Sequence, residues 1–319
     1  MQLKKKGLLL DARHEHGLIL THWVGTSYWL RKNNIPHKVI APPGYHAFFP
    51  WLKDERYALY EIFFNLPYGG KYYNKHHRNQ GGKLDTELFY SNEFDPPIDC
   101  APWMKVPFQK IYKHNVVPRL TDKPALLISN KCNNEWYDNT GPPVNFFPLE
   151  FLKEFIQTFS ELYEIWYIRH RDEKLENRQI GYWDDAHTDP KYKDFELIEE
   201  LKEQGHQILT IQDAISKGLH IECPLRYDGL AYPLRNFNVM QCYMHSNAKY
   251  CLTINGGNAN NAAWFSEEVM IYGAPNCKSS DRKIWLDGTW LNNLYDGNRV
   301  MGDINIDRIM KRCKQRWIK

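Results

Sequence analysis

Short apolar runs alternate with polar, helix-spaced segments along most of the chain. Residues 7–12, GLLLDA, read as a strand of the kind buried on both faces of a parallel sheet. A helix is expected over 17–32 and a second strand over 35–41, stopped by Pro42, Pro43 and Gly44. This β-α-β opening is the unit that builds parallel sheets through right-handed crossovers. A further helix is expected over 51–65. Residues 68–82, polar, glycine-rich and aromatic, read as an irregular loop of a length that is often functional. Pro96, Pro97, Pro102, Pro107, Pro118 and Pro124 punctuate the next stretch of chain, and a domain boundary is expected near 119–123.

A second series begins at Ala125. Strands are expected over 125–129, 164–168, 207–211, 250–254 and 269–272. Between them stand helices over 147–162, 195–204, 213–217 and 235–247. The first carries Leu149, Leu152, Phe155, Ile156 and Phe159 at near-helical spacing. Gly205 ends the second. Residues 255–261, NGGNANN, read as a tight loop, with a helix beginning at Ala262. The fold class is therefore α/β, with two Rossmann-like parallel-sheet domains. The expected division is 1–120, 121–300 and a closing helix in 301–319.

Composition narrows the class. Of 319 residues, 43% are hydrophobic and 25% charged, as in a soluble globular protein. A net charge of +3 gives no reason to expect a nucleic-acid or membrane partner. The 7 cysteines are scattered, odd in number and lack a CxxC pair, which favours free thiols in a reducing compartment and a cytoplasmic location. No apolar run reaches the roughly 18 residues of a membrane span. The 11 Trp, 20 Tyr and 15 Phe suit burial, and also stacking on sugars or bases.

Ligands of open parallel sheets gather at the carboxyl ends of the strands. In the second half that rule selects Ser129, Asn130 and Lys131, then Arg169, His170 and Arg171, then residues 210–213, then the 255–261 loop with Asn255, Gly256, Gly257, Asn258, Asn260 and Asn261. Glycines admit close backbone approach, and a helix start offers N–H groups and partial positive charge to an anion. Arginine and lysine add paired and point-like phosphate contacts. Each feature also has an ordinary structural reading, as a βα turn or a surface ion pair. In the first half the rule selects Asp11, His14, Glu15 and His16. Any of the four could serve as a general base, and the group could equally cap the following helix. His14 and His16 without a third partner make a weak metal site, and none is expected.

These pieces together resemble nucleotide-sugar glycosyltransferases of the two-Rossmann, GT-B architecture. AKYCLTINGGNANNAAWFSEEVMIYG is similar to the late strand-loop-helix of heptosyltransferases. WYIRHRD is similar to the H-x-R-R-x-D segment of α1,6- and protein O-fucosyltransferases. Arg169 and Asp172 match that segment, whereas His170 replaces its second arginine and Tyr167 its leading histidine. The resemblance implies two domains facing across a cleft. It implies a nucleoside-diphosphate sugar, GDP- or UDP-linked, held by the C-terminal half, and a glycan or glycoprotein acceptor held by the N-terminal half. It also implies an inverting, metal-independent transfer without a further cofactor. A sugar-nucleotide epimerase of the same plan and a non-catalytic glycan-binding protein are the alternatives.

Overall fold

The computed structural model describes residues 8–12, 19–41, 44–61, 106–114, 116–132, 146–169, 192–217, 232–273 and 299–318. The chain groups into two compact units. One comprises Met1–Val106, Lys174–Trp183 and Cys223–Asn238, and the other comprises Pro107–Glu173, Asp184–Glu222 and Val239–Lys319. Both are α/β with parallel sheets.

In the first unit, β1 (Leu8–Asp11), β2 (His37–Ala41) and β3 (Tyr57–Glu61) lie side by side in that order, all parallel. The helix expected over 17–32 begins as a π-helical segment, Ile19–Val24, and continues as α1 (Gly25–Lys32). The helix expected over 51–65 is absent from 51–61, where the chain turns and enters β3. Asp54 makes that turn: its carboxylate accepts the N–H groups of Arg56 and Tyr57. Such local side-chain bonding competes with helix formation, and the apolar spacing alone did not reveal it. Inside the unit, Trp51 donates to Ser27 Oγ, which bonds His37 Nε2 at 2.7 Å, while His37 Nδ1 bonds the Ile35 carbonyl oxygen.

Among the described residues the second unit carries six parallel strands in the order β6-β5-β4-β7-β8-β9. They are β4 (Ala125–Ser129), β5 (Glu164–Ile168), β6 (Ile208–Thr210), β7 (Tyr250–Ile254), β8 (Glu268–Tyr272) and β9 (Val300–Asp303). Among the described residues the helices of this part of the chain are α2 (Phe108–Tyr112), α3 (Leu149–Phe159), α4 (Asp194–Glu203), α5 (Ile211–Ser216), α6 (Tyr232–Asn247), α7 (Gly257–Phe265) and α8 (Ile306–Trp317). Strand β9 had no counterpart among the expected strands. Helix α7 starts at Gly257 and not at Ala262, because Asn258 and Asn261 find tertiary partners that offset their modest helix preference.

Alternation along the strands makes this a layered sheet. Leu126, Ile128, Tyr250, Leu252 and Ile254 belong to one core with Phe155 and Ile156 of α3, Ile198 and Leu201 of α4, and Trp317 of α8. Cys251, of opposite parity, instead contacts His245 of α6, 3.7 Å from its Nδ1. There α2, α6 and α7 meet: Phe108 stacks on Phe265, and Asn247 donates to the Tyr112 carbonyl oxygen. At the entry to the sheet the buried Glu164 carboxylate accepts from Arg119, the N–H groups of Leu120 and Thr121, the Thr121 hydroxyl and the Trp166 indole. Cys132, Cys242, Cys251 and Cys313 are buried free thiols. Among the described residues no helix is long and apolar enough to cross a membrane.

His245 is buried on this second face, with Nδ1 at 3.0 Å from Ser266 Oγ and Nε2 without a hydrogen-bond partner among the described residues. Desolvation lowers its pKa from 6.5 to about 3. The unfolded chain therefore takes up a proton that the native state refuses. Stability from this residue is complete above about pH 6.5 and falls as pH drops towards about 3. The loss amounts to roughly 4–5 kcal/mol across that window. Thermal melts of His245→Asn should lack this part of the acid slope, even if the variant is less stable at neutral pH.

Candidate functional site

Counted within the second unit, the strand order is third, second, first, fourth, fifth, sixth. Connections from β4 and β7 diverge, so the crevice expected in such a sheet lies beyond their carboxyl ends. The chain leaving β4 is Asn130-Lys131-Cys132, and the chain leaving β7 is Asn255-Gly256 followed by α7. Thr253 Oγ1 donates to the Ser129 carbonyl oxygen where the two strands end, and Asn255 N–H bonds the Tyr272 carbonyl oxygen of β8.

Gly256 opens α7 with φ 101° and ψ −154°, a conformation close to closed to residues with a Cβ. A Cβ built there would stand 3.4 Å from the Lys131 ammonium nitrogen. Lys131 is only 2% exposed. A buried ammonium thus lies beside the helix start, where no side-chain cap closes the end. The first N–H groups of a helix have no partner within it. Both features are electropositive, and a bound anion would stabilise them together. Asn258, in the first turn, donates from Nδ2 to the Asn130 carbonyl oxygen at 3.1 Å. Asn260 and Asn261 are buried along α7, and Asn261 donates to Gln241 of α6 at 3.1 Å.

Arg169 follows β5 on the same edge of the sheet, but its guanidinium is engaged within the protein. Nε and Nη2 both donate to Asp194, the first residue of α4, with the Nη2 contact at 2.6 Å. The guanidinium also stands 4.7 Å from the ring centre of Phe195 and 5.5 Å from that of Tyr192. Burial disfavours its charge, yet the Asp194 carboxylate outweighs this and holds its pKa above the ordinary value. Tyr167 donates its hydroxyl to the same carboxylate. Burial first, and then Asp194, push the Tyr167 and Tyr192 hydroxyls well above their ordinary range, so both stay protonated.

The structure thus brings together Asn130, Lys131, Gly256, Gly257 and Asn258 at the reversal point, with Arg169 joined to them through Asp194, Tyr167 and Asn130. Asp11 closes β1 of the first unit, in register with Ile40. His14, Glu15, His16, His170 and Arg171 lie outside the described residues. Asp194, Tyr167 and Tyr192 were not among the sequence candidates. An acid at a helix start and two aromatics read locally as a cap and core, and nothing in their spacing named Arg169 or Asn130 as partners. Among the described residues no group of three His, Cys, Asp or Glu side chains could hold a metal ion. Comparison with known proteins finds no matching family model, no matching curated protein and no matching solved structure.

Removing one member of a buried, hydrogen-bonded ion pair leaves the other uncompensated. Arg169→Met should therefore destabilise the protein by roughly 3–5 kcal/mol in urea unfolding. Gly256→Ala should cost about 1–3 kcal/mol through backbone strain.

Proposed function

We propose that the chain is a glycosyltransferase moving a sugar from a nucleoside diphosphate to a hydroxyl of a glycan or glycosylated protein, with the second unit as the donor-binding half. One observation carries the reading: a buried lysine ammonium and a glycine-opened helix start meet where the strand order reverses. A dinucleotide site in this sheet order has its glycine turn after the first strand and an acid near the end of the second. Here the first strand runs into Asn130-Lys131-Cys132, the second is followed by Arg169, and the glycines follow the fourth strand. That distribution favours a nucleoside diphosphate over a nicotinamide dinucleotide.

In the reaction the bond between the anomeric carbon and the diphosphate oxygen breaks, and the oxygen leaves with the electron pair. Lys131 and the N–H groups at the start of α7 offset the charge that develops there. The acceptor hydroxyl oxygen bonds to the anomeric carbon and gives its proton to a base. One of Asp11, His14, Glu15 and His16 fills that role in this reading. His170, Arg171 and Asn255 are further donor contacts. Arg169 acts on the site through Asp194.

Thermal shift and calorimetry with UDP, GDP, CMP and ADP test the donor site, and product analysis with and without a glycan acceptor tests the transfer. One nucleoside diphosphate is expected to raise the melting temperature, and Lys131→Met to weaken its binding at least about tenfold, as expected for loss of a charge-assisted contact. A shift with none of them, alongside a shift with glycans alone, would overturn the proposal in favour of a carbohydrate-binding protein. A changed nucleotide-sugar formed without acceptor would point to an epimerase.

A further inference from the structure

One side chain at this edge is committed at every polar position. Asn130 is 2% exposed. Its Oδ1 accepts the N–H groups of Lys131 at 2.8 Å and Phe147 at 3.3 Å. Its Nδ2 donates to the Tyr167 hydroxyl at 2.7 Å and the Tyr192 hydroxyl at 2.8 Å. That fills the four positions an amide offers.

The polarity of the arrangement is set from below. Both Asp194 oxygens receive N–H donors from Arg169, so neither has a hydrogen to give. The Tyr167 hydroxyl must then donate to Asp194, which leaves its oxygen as an acceptor. Tyr192 donates to the Phe147 carbonyl oxygen at 2.6 Å and is likewise left accepting. Two hydroxyls with committed protons face one side of the Asn130 amide. Nδ2 must lie there, and Oδ1 must face Lys131. The Asn130 backbone carbonyl oxygen accepts Nδ2 of Asn258 at the start of α7. One residue therefore ties the backbone of Lys131, the first turn of α7 and the buried Arg169–Asp194 pair together.

We infer that Asn130 is a positioning residue, holding the Lys131 backbone and the start of α7 in register for the pyrophosphate of a bound nucleotide. The inference rests on the donor-site reading above. The amide itself does not touch the ligand, because no polar position on it is left over. Its effect passes through Lys131 and Asn258. A displacement of about 1 Å at either would separate two features that must meet the same phosphate.

Calorimetric titration of the full chain with inorganic pyrophosphate tests this. Wild type should bind, and Lys131→Met should lose binding. Asn258→Ala removes the link to the Asn130 carbonyl while favouring the helix, and should weaken binding about tenfold with the melting temperature nearly unchanged. Asn258→Gln, which keeps an amide donor on that turn, should recover most of the affinity. Asn130→Asp keeps the shape but removes both donors, and should weaken binding and speed exchange of the Lys131 amide hydrogen. If wild type binds and Lys131→Met does not, yet Asn258→Ala and folded Asn130→Asp keep wild-type affinity, the positioning role is overturned and the donor site stands. Should Asn130→Asp fail to fold, Tyr192→Phe, which removes one of the two hydroxyls that hold the Asn130 amide, decides instead: wild-type affinity overturns the role and weakened binding supports it. A wild type blind to pyrophosphate overturns the inference, and the nucleotide panel then shows whether the donor reading falls with it.

Discussion

A parallel sheet must return every connection across one of its faces, and in the second unit the returns run in two directions from the centre. From β4 the chain works outwards through β5 and β6. It then comes back to β7 and works the other way through β8 and β9. No crossover can cover the gap between the ends of β4 and β7, because the connections leaving them diverge. The position of the proposed site follows from that topology before any side chain is considered. Lys131 and Gly256 each stand second past the two central strands, beside that gap.

Much of this was legible in the amino-acid order. The strands 125–129, 164–168, 250–254 and 269–272 show as runs of buried residues, and the structure has strands at each. The amphipathic spacing at Leu149–Phe159 carried α3. What failed to show did so for identifiable reasons. Strand β3 hid behind an aspartate turn at Asp54. Strand β9 is four residues long and includes Gly302 and Asp303, too brief and too polar for a periodic signal. The start of α7 looked like loop because its stabilising bonds go to Asn130 and Gln241, far away in sequence.

At the site the limit was of another kind. Residue type and strand-end position selected Asn130, Lys131, the 169–171 segment and the 255–261 loop as candidates on one edge. They could not say which groups each cation meets. Arg169 and Lys131 looked alike as candidates for phosphate. The structure shows what the guanidinium of Arg169 meets, the buried Asp194 carboxylate, and places the Lys131 side-chain nitrogen beside the start of α7.

The Arg169–Asp194 pair also bears on how this sequence can drift over generations. Either residue replaced alone strands a charge in the interior, and Tyr167, and through it the Asn130 amide, take their orientation from Asp194. A lineage could reach an apolar alternative only by passing through a badly folding ancestor or by changing both positions together. Distant descendants of this chain should then either keep both residues, even where the surface has become unrecognisable, or show the two sites altered as a couple.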